Sequence, residues 1–199
     1  MKRRGFTLIE ILCVLAIVGT LCGLLFPTFG GARRAAAAAR TKTQFAQWTA
    51  AIESFRGEYG CYPVFAANGL VNGDATAIEH PFHDVLAGRH RDASALAPGS
   101  SSALQNRRAI AFCVFSDAAF NEAKLLQDAS SHTAMAVLVD RDLDGVIKAG
   151  TDFVVLPAVD GQVPTADDFP ADGVRAGVIL YALAPGATPT SPAFVFSWK

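Results

Sequence analysis

Gly5-Phe6-Thr7-Leu8-Ile9-Glu10 stands behind the basic triplet Lys2-Arg3-Arg4 and runs into an apolar stretch that continues to Phe26, with Pro27 next. From Ile11 to Phe26 no residue is charged, so Glu10 is the one carboxylate at the head of the run. An ionised side chain inside a membrane helix costs about 2.5–3.5 kcal/mol on insertion scales, so it needs a partner or a task. Phe6 to Phe26 spans about 30 Å as a helix, enough to cross the hydrocarbon once. With Lys2 to Arg4 as the cytoplasmic flank, everything after the span faces the periplasm or its equivalent. A secretory signal has a shorter apolar core with a small-residue cleavage site after it, whereas Ala35–Ala39 lies beyond Arg33 and Arg34. Cys22 follows Leu21, which argues against a lipoprotein site. An ordinary signal anchor explains the length of the run but neither Glu10 nor Gly5.

Working outward, Pro27 lacks an amide hydrogen, so a helix passing through it is expected to kink; the alternative is that Pro27 ends the membrane helix. Ala32 to Arg40 is alanine-rich and helix-forming. Phe45, Trp48, Ile52, Phe55 and Tyr59 then recur at three- and four-residue spacing, a stripe suited to lying on a sheet. A helix from Phe6 to about Tyr59 is about 80 Å long. Gly57 and Gly60 supply its stop, and Tyr62-Pro63 turns the chain away.

The 199 residues allow one globular domain beyond the anchor. A net charge of -1 with 18% charged residues shows no broad basic surface for nucleic acid. Residues 64 to 131 carry loop chemistry, with a helix expected near Pro81–Leu86, a short strand or helix near Ala109–Phe115, and a helix over Ala118–Asp128. Strands are expected at Ala134–Val139, Phe153–Leu156, Gly177–Leu183 and Phe194–Trp198, with turns at Asp172-Gly173 and Pro185-Gly186. The fold class is therefore α+β: a long N-terminal helix packed on a small C-terminal antiparallel sheet of three or four strands.

The stretch from Gly5 to Glu10 resembles the class III signal of type IV pilins and type II secretion pseudopilins, and Glu58-Tyr59-Gly60-Cys61-Tyr62-Pro63 is similar to the end of the long helix in major, G-type pseudopilins. The resemblance is strong over the N-terminal third and loose beyond it. It implies a pilin-like fold and cleavage between Gly5 and Phe6 by a membrane prepilin peptidase that also methylates Phe6. It further implies assembly through the N-terminal helix. Glu10 then pairs with the terminal amine of a neighbouring subunit, or with the amine of its own Phe6 one turn back. In the family, a proline placed like Pro27 marks a segment that melts on filament packing.

The organisation implied is a leader at 1–5, a transmembrane helix at 6–26, the amphipathic half-helix at 27–60, a variable connection at 61–133 and the sheet region at 134–199. The implied function is a pilin-like structural subunit of a periplasmic pseudopilus in a type II secretion system, exporting protein. The alternatives are a type IV pilus pilin for adhesion, motility or DNA uptake, and a membrane-anchored enzyme or binding protein. An enzyme needs a nucleophile–base pair or metal set, and none stands out. Partners implied are the prepilin peptidase/methylase, copies of itself, other pseudopilins or pilins, the inner-membrane assembly platform and the membrane, with no nucleic acid. The chain would lie in the inner membrane as a single pass, N-terminus cytoplasmic and C-terminal domain periplasmic, and in a filament after assembly.

Asp140, Asp142 and Asp144 alternate ahead of Gly145, followed by Val146 and Asp152. Carboxylates at alternate positions with glycine sixth open a calcium loop, in which Val146 offers its carbonyl. The twelfth position is Thr151, not an acid, with Asp152 one further on. Calcium binding known in the C-terminal region of major pseudopilins adds to this candidate; an acidic turn free of metal is the alternative, and Asp167, Asp168 and Asp172 either contribute or decorate a loop. Cys13 and Cys22 read as small apolar anchor residues. Cys61 and Cys113 fall in the exported part, where a bridge closing about 50 residues would be worth roughly 4 kcal/mol. His80 and His83, with His90 and His132, suggest a metal set only weakly, because Pro81 separates the first pair and no acid or cysteine completes it; exposed loop histidines are the expectation.

Overall fold

The computed structural model describes residues 7–66, 68–76 and 78–199, and of 22–29 only the backbone. The leader and Phe6, hence both sides of the expected cleavage bond, lie outside the described residues. One helix, α1, runs over Leu8–Tyr59, 52 residues or about 78 Å. It continues past Pro27, so that residue does not end it. The C-terminus is set by Gly60 at φ 74°, whose amide closes on the carbonyl of Arg56.

The two halves of α1 meet different surroundings. Leu8 through Leu21 are exposed, Leu8 at 83%, so a row of apolar side chains has no cover from its own chain. Among the described residues, no helix is long and apolar enough to cross a membrane; the side chains of residues 22–26, the end of the expected span, are among those not described. The far half carries the predicted stripe into the core: Phe45, Trp48, Ile52 and Phe55 are buried and Tyr59 is half-buried.

The stripe lies on a three-stranded antiparallel sheet, β1 (Met135–Val139), β2 (Val178–Leu183) and β3 (Phe194–Phe196), in the order β1-β2-β3. Strand periodicity divides the sheet. Met135 and Val137 of β1, with Val178, Leu180 and Ala182 of β2, face α1. Ala136, Leu138, Ile179 and Tyr181 point the other way, into a second cluster with Ile147, Val159, Phe169 and Val174. This is the expected α+β, helix-on-sheet class.

Two shorter helices, α2 (Pro81–Ala87) and α3 (Ser101–Gln105), lie in the connection. Three expectations fail there or beyond. Ala118–Asp128 is not helical beyond a 3-10 turn at Asp117–Ala119. The Asn121 side chain accepts from the Leu125 amide, Lys124 sits at φ 64°, and Phe120 bridges Leu126 in a tight hairpin-like turn. Phe153–Leu156 is not a strand: Phe153 makes one bridge to Ala149, and Val154 and Val155 project into solvent. Ala109–Phe115 is irregular, anchored by the amides of Phe112 and Cys113 on the carbonyl of Leu86.

The entry to β2 requires a glycine. A Cβ on Gly177 would lie 1.9 Å from the Tyr62 hydroxyl, which donates to Glu53 on α1 at 2.8 Å. Removing a core aromatic should unfold the domain most readily: Phe45→Ala is expected to cost about 3–5 kcal/mol in denaturant melts of the full chain in detergent, while Val154→Ala should stay within about 0.5. Equal losses in the two variants would contradict the assigned core.

Candidate functional site

Thr7 and Glu10 close the N-terminus of α1 on themselves. The Thr7 hydroxyl accepts from the Glu10 amide at 3.3 Å, while the Glu10 carboxylate accepts from the Thr7 amide and hydroxyl, both at 2.8 Å. This capping box satisfies orphan amides of the first turn and sets a negative charge at the positive end of the helix dipole. Glu10 thus has a partner within its own chain, and Thr7 is a functional candidate the sequence reading passed over. The Thr-x-x-Glu spacing was the available signal. Lower in the apolar run, the Thr20 hydroxyl donates to the carbonyls of Ala16 and Ile17, so it asks nothing of its surroundings.

The acidic loop leaves β1 at Asp140, which is buried. Its carboxylate accepts from the Asp144 amide at 3.2 Å and the Gly145 amide at 2.8 Å, folding the loop over it. Asp144 in turn accepts from the Val146 amide at 2.8 Å. Gly145 is at φ 86° with open space around it, so backbone conformation, not crowding, selects glycine. Carboxylate oxygens of Asp140, Asp142 and Asp144 gather within 4.8 Å of one another. Oxygens bound at about 2.4 Å to one ion can be at most about 4.8 Å apart, and an all-oxygen set suits a hard cation, so this trio fits calcium. Loss of surrounding solvent, then the neighbouring Asp140, pushes the Asp142 carboxyl above the usual carboxylate range. Lys148 pairs with Asp144 and holds that carboxyl below it.

Asp152 does not join the trio. Its oxygens accept from the amides of Arg141 at 2.7 Å and Lys148 at 2.9 Å, so it ties the two ends of the loop together. In this structure Asp152, expected as a ligand, braces the loop, and the gathered oxygens are those of Asp140, Asp142 and Asp144.

Cys61 and Cys113 are both free. Cys61 is exposed just past α1 and lines a cleft of about 710 Å³ floored by β1, whereas Cys113 is drawn toward α2 by its amide bond to Leu86. The expected bridge is not formed in this structure. Burial pushes the Cys113 thiol up to about 11.

The histidines depart furthest from expectation. His80, His83 and His90 are buried, not exposed loop residues. Asp84, 1% exposed, explains them: its oxygens accept from the Nδ1 atoms of His83 and His90, each at 2.8 Å, and from the His80 amide at 3.1 Å. His80 caps α2 through Nδ1 and meets the Asn72 side-chain oxygen through Nε2 at 2.7 Å. A buried carboxylate demands such partners, and the i−1 and i+6 spacing from Asp84 conceals them in the sequence.

Residues 1–26 match the family model described as the prokaryotic N-terminal methylation motif. No curated protein and no solved structure matches the chain. The motif is typical of precursors of type IV pilins and pseudopilins, which are membrane-anchored structural subunits processed by the prepilin peptidase. Together with the long helix on an antiparallel sheet, it supports a type IV pilin-like precursor.

The histidine network carries a pH dependence. Burial, reinforced by the adjacent His83 charge, holds His80 down to about 4. The unfolded chain therefore takes up this proton first, below about 6.5, and the contribution of neutral His80 is full above that pH. It is lost as pH falls from about 6.5 to 4, by up to about 3 kcal/mol. His80→Asn, which keeps a capping side chain, is expected to flatten the stability profile over that window in denaturant melts. An unchanged slope would remove His80 as its source.

Proposed function

We propose that this chain is a filament-forming subunit of a type II secretion pseudopilus, cut after Gly5, methylated at Phe6 and assembled helix to helix from the inner membrane. The observation that carries this reading is the methylation motif at 1–26, set at the head of a helix whose far half is the spine of an α+β domain. Residues 6–26 are the single membrane pass, 1–5 are cytoplasmic, and the domain is periplasmic. The uncovered apolar row from Leu8 to Leu21 supports this, since lipid covers it before assembly and neighbouring helices afterwards. The partners are the prepilin peptidase/methylase, the inner-membrane platform, copies of this chain and other pseudopilins. Type IV pilins share all of these features; the segment Glu58 to Pro63 is what tilts the reading toward secretion.

Glu10 is the assembly residue, pairing with a terminal amine of its own or a neighbouring chain after cleavage. The same reading includes a calcium ion on Asp140, Asp142 and Asp144, with the Val146 carbonyl as a further ligand. The ion would neutralise three crowded carboxylates and stiffen the turn after β1.

Gly5→Leu is expected to leave an uncleaved precursor by mass spectrometry and no filaments, and Glu10→Gln a cleaved, inserted subunit that assembles poorly. Normal filaments from the Glu10 variant would sink the pairing. Deleting the gene should trap secreted proteins in the periplasm while leaving surface pili intact; the reverse pattern would make the chain a pilus pilin. Calcium at a hundred times its Kd should raise the stability of the full chain by about 2.7 kcal/mol, and Asp142→Asn should abolish the rise. No shift in melting temperature on chelation would reject the ion.

A further inference from the structure

A cavity of about 510 Å³ opens between the second half of α2, the turn at residues 89–93 and the segment 113–124. His83 and His90, 5% and 7% exposed, line it. Each ring hands its Nδ1 edge to a different oxygen of Asp84. The opposite nitrogen, Nε2, makes no hydrogen bond to a described residue, and both histidines line the cavity. Neither ring can turn away without stranding a buried carboxylate, so the two Nε2 atoms are held in place.

The mouth of the cavity is basic. Arg89 and Lys124 are exposed and have no ion-pair partner among the described residues. Arg91 lies over the Phe120 ring at 5.2 Å and donates to the Lys124 carbonyl. Of the two carboxylates lining the cavity, Asp92 is already held by the amide and hydroxyl of Ser94, at 2.9 and 2.5 Å, and Asp117 stands at the start of its 3-10 turn. Asp84, the carboxylate that meets both rings, is spent on their Nδ1 edges, and among the described residues no metal-holding group of histidine, cysteine or carboxylate side chains includes His83 and His90. That turns the chemistry from a cation toward an anion. His80 sits behind His83, with ring centroids 6.4 Å apart, and both of its nitrogens are engaged.

We infer that this cavity binds an oxyanion, a carboxylate or phosphate group, through Nε2–H of His83 and His90 and the guanidinium of Arg89. A ring protonated at both nitrogens donates Nδ1–H to Asp84 and Nε2–H to the ligand, and Asp84 offsets its charge. Arg89 closes over the ligand from the solvent side, and the phenyl rings of Phe115 and Phe120 wall off water on the other.

Titrating the full chain in detergent with inorganic phosphate, and separately with succinate, in buffers spanning acidic to neutral pH tests this. Imidazole nitrogen–proton NMR signals of His83 and His90 should shift saturably, with His132 unmoved. Arg89→Ala touches none of the Asp84 bonds, so it should leave the melting temperature unchanged and raise Kd about tenfold or more, the scale of one charge-assisted bond. Response to succinate alone assigns a carboxylate, response to phosphate alone a phosphate group, and response to both the shared oxyanion chemistry. No saturable shift with either probe, or an affinity indifferent to Arg89→Ala, overturns the site.

Discussion

Everything in the domain is arranged around burying one stripe of one helix. Phe45, Trp48, Ile52 and Phe55 exclude water almost completely, and each aromatic or branched side chain contributes about 1.5–3 kcal/mol by doing so. Only a surface of matching periodicity can cover such a stripe, which is why alternate residues of β1 and β2 face it. That choice has a consequence on the far side of the sheet. Ala136, Leu138, Ile179 and Tyr181 are apolar as well, so a second layer must cover them. Residues 147–174 supply it, with Ile147 and Val174 bridged and the Tyr181 hydroxyl donating to the Pro157 carbonyl. The acidic loop is the path by which the chain leaves β1 to form that layer.

The long connection solves a different problem, since it has little regular structure to satisfy its own backbone. Two asparagines take over that task. Asn106 donates to the carbonyls of Val85 and Ile110 and accepts from the Ile110 amide and the Tyr59 hydroxyl. Asn72 donates to the carbonyls of Leu126 and Thr133 and accepts from the Leu126 amide. Apolar contacts then lock the connection to α1, with Trp48 edge-on to Phe82 at 5.1 Å and Phe55 to Phe112 at 5.4 Å. Asp84 and its histidines fill the polar interior that remains.

Legibility tracks the range of the interaction. The stripe on α1 and the three strands were readable because period and composition are local properties. Pro81–Leu86 was readable too, with proline at the start and glycine beyond the end. Residues 118–128 misled because Ala, Glu, Lys and Leu favour helix while Asn121, bonding its own chain four residues on, selects a turn. Val154 and Val155 carry strand propensity without a strand to pair with. The acidic trio was visible as a pattern; the role of Asp152 was not, because it is set by contacts with the backbone of Arg141 and Lys148. The His83–Asp84–His90 network is harder still. Nothing in the residue spacing says that one carboxylate will be buried or which rings will reach it.

Glu10 shows what the structure adds to a sequence argument. A bare carboxylate in an apolar run invites the inference that an external partner must rescue it. The bonds from Thr7 remove that urgency: the charge is already satisfied at a helix N-terminus before any neighbour arrives. Pairing with a terminal amine is then an exchange of partners, and its net contribution is the difference between two satisfied states, smaller than the Coulomb attraction alone suggests. A small difference suits the assembly role proposed for Glu10. In the proposed filament the subunit would rest in the membrane with its charge already met, and the exchange would still reward the one axial register that brings an amine to Glu10. In that filament the exposed apolar face from Leu8 to Leu21 would supply adhesion with little preference for register, so specificity of position would fall to this one polar pair.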